Sequence, residues 1–97
     1  MNFDAEMKKV MKDGEVTIGE RTVKKTLLTG KAKMVIVAAN TSTGVKEDLK
    51  RYAGLSKIKY FEFPESSKEL GYKCAKSFPV STIAIIKEGT SKILQVS

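Results

Sequence analysis

Two short stretches of the chain are almost entirely apolar, and they restrict the fold more than any other feature. The first is "MVIVAA", residues 34–39, and the second is "TIAII", residues 82–86. A strand that is covered on one face alternates between apolar and polar side chains, whereas a strand covered on both faces does not. Both stretches are rich in β-branched residues, which favour strands. We therefore expect two central strands with helices on both faces of their sheet.

Four stretches have the pattern of helices. Residues 2–14 place apolar side chains at the i, i+4, i+7 spacing of one helix face, and a glycine ends the stretch. A second helix is predicted from residue 21 to about residue 29. A third should begin after Thr43, whose side chain is a candidate N-cap. The stretch "SSKE", residues 66–69, has the form of a capping box and predicts the start of a fourth helix.

Shorter strand patterns complete the series. "EVTIG" at residues 15–19 and "IKYFEF" at residues 58–63 are predicted strands, and "EGTS" is a predicted turn before a last strand, "KILQV". Thr82 to Val96 would then form a hairpin. Strands that alternate with helices predict an α/β fold, and we expect a three-layer α/β/α sandwich with a mixed sheet. The length of 97 residues corresponds to a single domain over residues 1–97.

The charge balance favours an anionic partner. The chain has 18 Lys and Arg residues against 11 Asp and Glu residues, a formal net charge of +7. Such an excess suits nucleic acid or an anionic membrane surface, and the alternative is a basic protein with no role on nucleic acid. No apolar run approaches the roughly 20 residues that cross a bilayer. The first ten residues lack the apolar core of a signal peptide. We expect a cytoplasmic protein that has no membrane partner.

The residues that most enzymes use are missing. The chain has no histidine and a single cysteine, Cys74, which excludes a Cys–His nucleophile, a zinc site and an intrachain disulfide. Gly14 and Gly19 have the spacing of the glycines in a phosphate-binding P-loop, but Glu20 and Arg21 stand where that loop needs lysine and Ser/Thr. We expect neither enzymatic activity nor a cofactor or metal.

The second predicted helix has features that suit an RNA contact. Gly19 lies just before it, so a ligand can approach the backbone closely, and the first helical N–H groups favour an anion. Val23 and Leu27 share one helix face and should be buried. Arg21 and Lys25 share another face, four residues apart. Arginine can bind a guanine edge and lysine a phosphate, so the two could grip one ligand.

Two further places could contribute to the same site. Asn40 follows the first apolar strand, and the carboxyl ends of strands are the usual binding edge of an α/β sheet. Its amide could contact a base, or it could simply cap a helix or turn. The apolar residues Phe78, Pro79 and Val80 precede the second apolar strand. They could support an unstacked base, or they could fold back into the core.

These pieces, in this order, resemble the ribosomal protein family L-thirty-e of the archaeal and eukaryotic large subunit, within a wider group that includes L-seven-A-e. The similar segments span nearly the whole chain: the opening amphipathic helix, "GERTVKKTLLTGKAKMVIVAANT", "KEDLKRYAGLSKIKYFEF", "KELG" and "FPVS". "AANT" followed by the pattern Y-A-x-L-S points most to L-thirty-e. The resemblance implies the α/β/α fold and binding to a kink-turn, an internal RNA loop with a sharp bend and tandem sheared G·A pairs.

The resemblance also implies where RNA would bind. By position, Gly19, Arg21 and Lys25 match the start of the RNA-reading helix, Asn40 matches the strand-end contact, and residues 78–80 match the loop that meets an extruded base. The full set that we expect to contact RNA is Gly19, Glu20, Arg21, Thr22, Lys24, Lys25, Asn40, Lys46, Phe78, Pro79 and Val80.

The expected role is that of a structural protein of the large ribosomal subunit, located in cytoplasmic ribosomes. Its partners would be ribosomal RNA and neighbouring ribosomal proteins, and the free protein would be a monomer. Two alternatives remain open at this point. One is a kink-turn protein of another ribonucleoprotein particle, and the other is an α/β domain that binds proteins or small anions.

Overall fold

A computed structural model describes residues 3–74, 76–87 and 89 of the chain. Over this part of the chain, helices and strands alternate as the sequence predicts. The elements in chain order are α1 (Phe3–Asp13), β1 (Glu15–Ile18), α2 (Glu20–Leu28), β2 (Met34–Ala38), α3 (Thr43–Leu55), β3 (Lys59–Phe63), α4 (Ser67–Lys73) and β4 (Thr82–Lys87). The predicted last strand and its hairpin with β4 lie outside the described residues.

The four strands form one mixed sheet in the order β1-β4-β2-β3. Strand β2 pairs in parallel with β3, and β4 runs antiparallel to both β1 and β2. Strands β1, β2 and β3 therefore all end at the same edge of the sheet, and β4 begins there. We call this the C-terminal edge. The prediction of a mixed sheet is confirmed.

The two apolar strands lie in the middle of the sheet, and both faces of the sheet are covered. Every residue of β2 is buried, and so are the first four residues of β4. On one face, Met7 of α1 and Leu70 of α4 pack against Ile36 and Ile83. On the other, Val23 and Leu27 of α2 pack with residues of α3 against Val35 and Val37 of β2. The three-layer arrangement follows from this alternation, because successive strand residues point to opposite faces.

The beginnings of two helices differ from the sequence prediction. Helix α3 is capped by Ser42, whose Oγ accepts a hydrogen bond from the Val45 N–H at 3.4 Å, so Thr43 is the first helical residue rather than the cap. The predicted capping box at residues 66–69 is wrong, because Ser66 makes no side-chain cap hydrogen bond. Its place is taken by a side chain from a distant part of the chain, Asn40.

Candidate nucleic-acid interface

Backbone hydrogen bonds join four segments at the C-terminal edge. The Gly19 N–H donates to the carbonyl oxygen of Thr82 at 3.2 Å, and the Ala38 N–H donates to that of Ser81 at 2.9 Å. The Ala39 N–H donates to the carbonyl oxygen of Glu65 at 2.9 Å. The start of α2, the end of β2 and the loop before β4 are thus neighbours, as the sequence interpretation requires.

The start of α2 is open and uses glycine for a conformational reason. Gly19 has φ 105° and ψ 144°, a backbone region that other residues rarely adopt. No atom would lie within 4 Å of a Cβ at this position, so the space in front of the backbone is free. The first intrahelical bond runs from the Val23 N–H to the Gly19 carbonyl. The preceding helical N–H groups and the exposed side chains of Glu20 and Thr22 are therefore presented at the edge.

The cationic residues of α2 divide between two surroundings. Arg21 and Lys25 are exposed, while Val23 and Leu27 on the opposite side are fully buried. The structure therefore leaves both cations accessible to a ligand. Lys24 instead turns toward α3, where its Nζ lies 5.5 Å from the centroid of the Tyr52 ring.

The side chain of Asn40 is held in place by the start of α4. Its Oδ1 accepts a hydrogen bond from the Ser67 N–H at 2.8 Å, and its Nδ2 lies 3.4 Å from the Ser67 Oγ. The residue is nonetheless exposed. The amide is thus oriented by the fold, as a helix-capping role requires, and one face remains open to solvent. The two interpretations of Asn40 in the sequence are compatible.

The apolar loop before β4 splits into an exposed part and a buried part. The Phe78 side chain is 53% exposed and Pro79 is also exposed, whereas Val80 is only 1% exposed and belongs to the core. The Val80 N–H donates to the Ser67 carbonyl at 3.0 Å. Val80 therefore anchors the loop, and Phe78 with Pro79 forms the apolar surface.

Lys46 has a structural environment that the sequence did not indicate. Its Nζ donates to the carbonyl oxygen of Ala39 at 2.6 Å and lies 3.8 Å from the Glu62 carboxylate. The ammonium group is therefore paired within the protein, next to the end of β2. If Lys46 contacts RNA, it either keeps its hydrogen bond to the Ala39 carbonyl or gives it up for the RNA contact.

Comparison with known proteins agrees with the fold. A model of the ribosomal protein L7Ae/L30e/S12e/Gadd45 family matches residues 1–95. The chain belongs to this family. Similar proteins include the large ribosomal subunit protein eL30 of Saccharolobus solfataricus, 42% identical over 99% of this chain and 89% of that protein. The eL30 of Candida albicans is 43% identical over 96% of this chain and 88% of that protein.

A third relative, the eL30 of Pyrobaculum calidifontis, is 40% identical over 99% of this chain and 95% of that protein. These are ribosomal proteins rather than enzymes. The resemblance to the ribosomal family is therefore confirmed, and so is the prediction that the chain is not an enzyme.

Within this family member, the C-terminal edge also carries residues that the sequence interpretation did not select. The Ser67 N–H donates a hydrogen bond to the Asn40 side chain, and the Ser67 carbonyl accepts one from the Val80 N–H. Gly71 of α4 lies against the Phe78 carbonyl so closely that a Cβ would overlap it. These two residues could be identified only from the tertiary structure, because they act through residues that are distant in sequence. Both lie beside the edge rather than on its exposed surface.

The electrostatics of the edge are mixed rather than uniformly positive. Exposed Arg21 and Lys25 lie on α2, but the exposed carboxylates of Glu20 and Glu65 are also at this edge. A ligand with phosphates on one side and base edges on the other can accommodate both signs, because carboxylates accept hydrogen bonds from base amino groups. The arrangement therefore suits a shaped RNA better than a simple polyanion.

The described part of the chain holds neither a candidate metal site nor a candidate membrane span. Among residues 3–74, 76–87 and 89, no three acidic, histidine or cysteine side chains cluster in a way that could hold a metal ion. No helix in that same part of the chain is long and apolar enough to cross a bilayer.

Cys74 is buried, and its burial raises the pKa of the thiol to about 11, while Lys76 lowers that pKa to a smaller extent.

Proposed function

We propose that this protein is a structural component of the large ribosomal subunit that binds a kink-turn in ribosomal RNA. The observation that carries the proposal is the convergence of the start of α2, the end of β2 and the Phe78 loop on one sheet edge. Relatives named as large ribosomal subunit proteins support the assignment to cytoplasmic ribosomes. The free protein is a monomer in this proposal, with ribosomal RNA and neighbouring ribosomal proteins as partners.

Each part of the edge has a separate task. The N–H groups at the start of α2 meet phosphate oxygens, and Gly19 lets the RNA backbone come close because it has no side chain. Arg21 and Lys25 contact base edges or phosphates from the exposed face of α2. Asn40 offers its amide from the end of β2, already oriented by Ser67. A pre-oriented amide loses less conformational entropy on binding.

The exposed Phe78 provides the apolar part of the site. An aromatic ring that is 53% exposed at the rim of a polar edge can stack on a base that has left its helix. A duplex does not offer such a base, because its bases are paired and stacked. Phe78 therefore distinguishes a kinked internal loop from a regular helix, and the charged residues supply most of the salt-dependent affinity.

Binding to a kink-turn RNA and to a plain duplex of equal length, over a series of salt concentrations, tests the proposal. We expect a clear preference for the kink-turn, with affinity for both RNAs falling as salt rises. Arg21→Ala and Lys25→Ala should each weaken kink-turn binding by about 1–3 kcal/mol. Lys50→Ala is the matched control, because Lys50 is an exposed cation on α3 and away from the edge. Equal binding to both RNAs contradicts the proposal.

A kink-turn protein of another ribonucleoprotein particle is the second candidate. Binding to an isolated kink-turn does not separate the two, because the RNA motif is shared. Sequencing the RNA that co-purifies with the native protein does: recovery of large-subunit ribosomal RNA supports the ribosomal role, and recovery of small guide RNAs supports the second. A domain that binds only proteins or small anions would co-purify with neither kind of RNA.

A further inference from the structure

Two leucines lie exposed at the end of the molecule opposite the C-terminal edge. Leu28 is 64% exposed and Leu55 is 77% exposed, the highest values among the large apolar side chains of the described residues. Each is the last residue of its helix, α2 or α3. Both helices start at the C-terminal edge and run away from it. The Ser56 Oγ donates to the Leu27 carbonyl at 3.4 Å, so the two helix ends are neighbours.

The two helices end in the same hydrogen-bonded motif. In α2, the Lys31 N–H donates to the Thr26 carbonyl at 3.3 Å, and the Gly30 N–H donates to the Leu27 carbonyl at 3.1 Å. The equivalent bonds in α3 run from Ile58 to Ala53 at 2.7 Å and from Lys57 to Gly54 at 3.3 Å. These are the paired bonds of a Schellman motif. In both helices the exposed leucine is the residue just before the C-cap.

Lys57 occupies a backbone position that favours glycine. Its φ is 57°, and it is the one residue other than glycine with positive φ in the described part of the chain. The corresponding residue of α2 is Gly30, with φ 72°. A side chain in this region carries a conformational cost, so a lysine here is unfavourable for the fold alone. The Lys57 side chain is exposed close to Leu55 in sequence, where a partner could reach it.

The surroundings of the leucines are cationic. The segments that follow the two helices, residues 29–33 and 56–59, contain four lysines and no acidic residue. Exposed Lys31 and Lys57 follow the two helix ends directly. One turn earlier, Arg51 is already paired, with its Nη2 3.3 Å from the Asp48 Oδ1, and its guanidinium lies 5.3 Å from the centroid of the Tyr52 ring. We call Leu28, Leu55 and the cations Lys31 and Lys57 the leucine patch.

We propose that the leucine patch binds an acidic segment of another protein that carries apolar side chains. Burial of exposed aliphatic side chains against other apolar groups is favourable, and phosphate groups offer no apolar surface for such burial. The surrounding cations select an acidic segment by charge complementarity. A second copy of this chain is disfavoured as the occupant, since it would bring a net charge of +7 and the same cations to the interface. The patch lies away from the C-terminal edge, so both sites can be occupied together.

A peptide of Asp and Glu residues with three interspersed leucines is the probe, and a peptide with serine at those three positions is its control. We expect the leucine peptide to shift the methyl resonances of Leu28 and Leu55 in NMR spectra of the intact protein. The double variant Leu28→Ser, Leu55→Ser should bind it about tenfold more weakly, and the serine peptide should bind weakly to both proteins. Tyr72→Ser, which changes an exposed aromatic on α4, should not affect binding.

The outcomes are distinct from those of the RNA proposal. The double variant should keep its affinity for the kink-turn RNA, so failure at one site does not imply failure at the other. Equal binding of the two peptides, or no binding of either, overturns the proposal. It is also overturned if a duplex RNA displaces the leucine peptide from the patch, or if sedimentation shows a dimer that the double variant abolishes.

Discussion

The Oδ1 of Asn40 accepts a hydrogen bond of 2.8 Å from the backbone N–H of Ser67, 27 residues further along the chain. Helix α4 is therefore capped by Asn40, which follows β2, rather than by Ser66 at its own N-cap position. The bond ties the first turn of α4, and through the Ser67 carbonyl the Phe78 loop, to the strand end that we propose to meet RNA. A single side chain thus links the stability of α4 to the geometry of the candidate interface.

Replacing Asn40 should separate this structural role from binding. Asn40→Ala removes the cap and should lower the free energy of unfolding by about 1 kcal/mol. Asn40→Asp keeps an acceptor beside a helix N-terminus and should retain stability, but its negative charge should weaken RNA binding. Urea unfolding and RNA titration of both variants measure the two effects. Full stability of Asn40→Ala would show that the cap contributes little.

Replacing Gly19 should act through the backbone. Gly19→Ala forces a Cβ into φ 105°, ψ 144°, and should lower stability by about 1–3 kcal/mol even though the space around it is open. Gly44→Ala is the matched control, because Gly44 lies in α3 with equally open space and without positive φ. That change should raise stability by about 0.5–1 kcal/mol. Equal stability of the two variants would show that alanine at position 19 causes no backbone strain.

Replacing Gly71 should move the Phe78 loop without touching the RNA. A Cβ on Gly71 would overlap the Phe78 carbonyl oxygen, so Gly71→Ala should cost about 1–3 kcal/mol of stability and displace the loop. We expect weaker kink-turn binding together with a shift of the Phe78 ring resonances. Gly54→Ala, in open space on α3, should change neither. Unchanged RNA affinity in a folded Gly71→Ala protein argues against a role for the loop.

The buried thiol of Cys74 should make stability depend on pH in alkaline solution. Its pKa is raised from 9.0 to about 11 in the folded protein, so the unfolded chain loses the proton first as pH rises. The resulting contribution to stability is present below pH 9 and is lost progressively between pH 9 and 11. Tyr60, whose pKa is raised mainly by burial and then by Glu62, changes stability in the same direction above pH 10.

Urea unfolding between pH 8 and 11 measures this dependence. The decline between pH 9 and 11 should be shallower in Cys74→Ala, even though that variant is less stable at pH 8 because it removes buried sulfur. An equal slope in both proteins would show that Cys74 does not titrate in this way. A thiol reagent at pH 8 should also react far more slowly with folded protein than with protein in denaturant.

Much of the fold could be predicted from local pattern. The uninterrupted apolar stretches became β2 and β4, and the periodic stretches became helices, because burial on one or both faces imposes a spacing that a single segment displays. The family resemblance added a candidate site at the start of α2, at Asn40 and at residues 78–80, which stays a prediction. Errors were confined to helix starts, where Ser42 rather than Thr43 caps α3, because adjacent serine and threonine residues offer nearly equivalent caps.

The amino-acid sequence by itself determined the alternation of elements, the apolar central strands and the excess of positive charge. Only the tertiary structure decided that Val80 is buried beside exposed Phe78, that Lys46 is paired at the end of β2, and that Asn40 caps α4. Each of these depends on a partner brought near by the packing of other elements. Periodicity records which face of a segment is buried, but it carries no information on which distant group a polar side chain will meet.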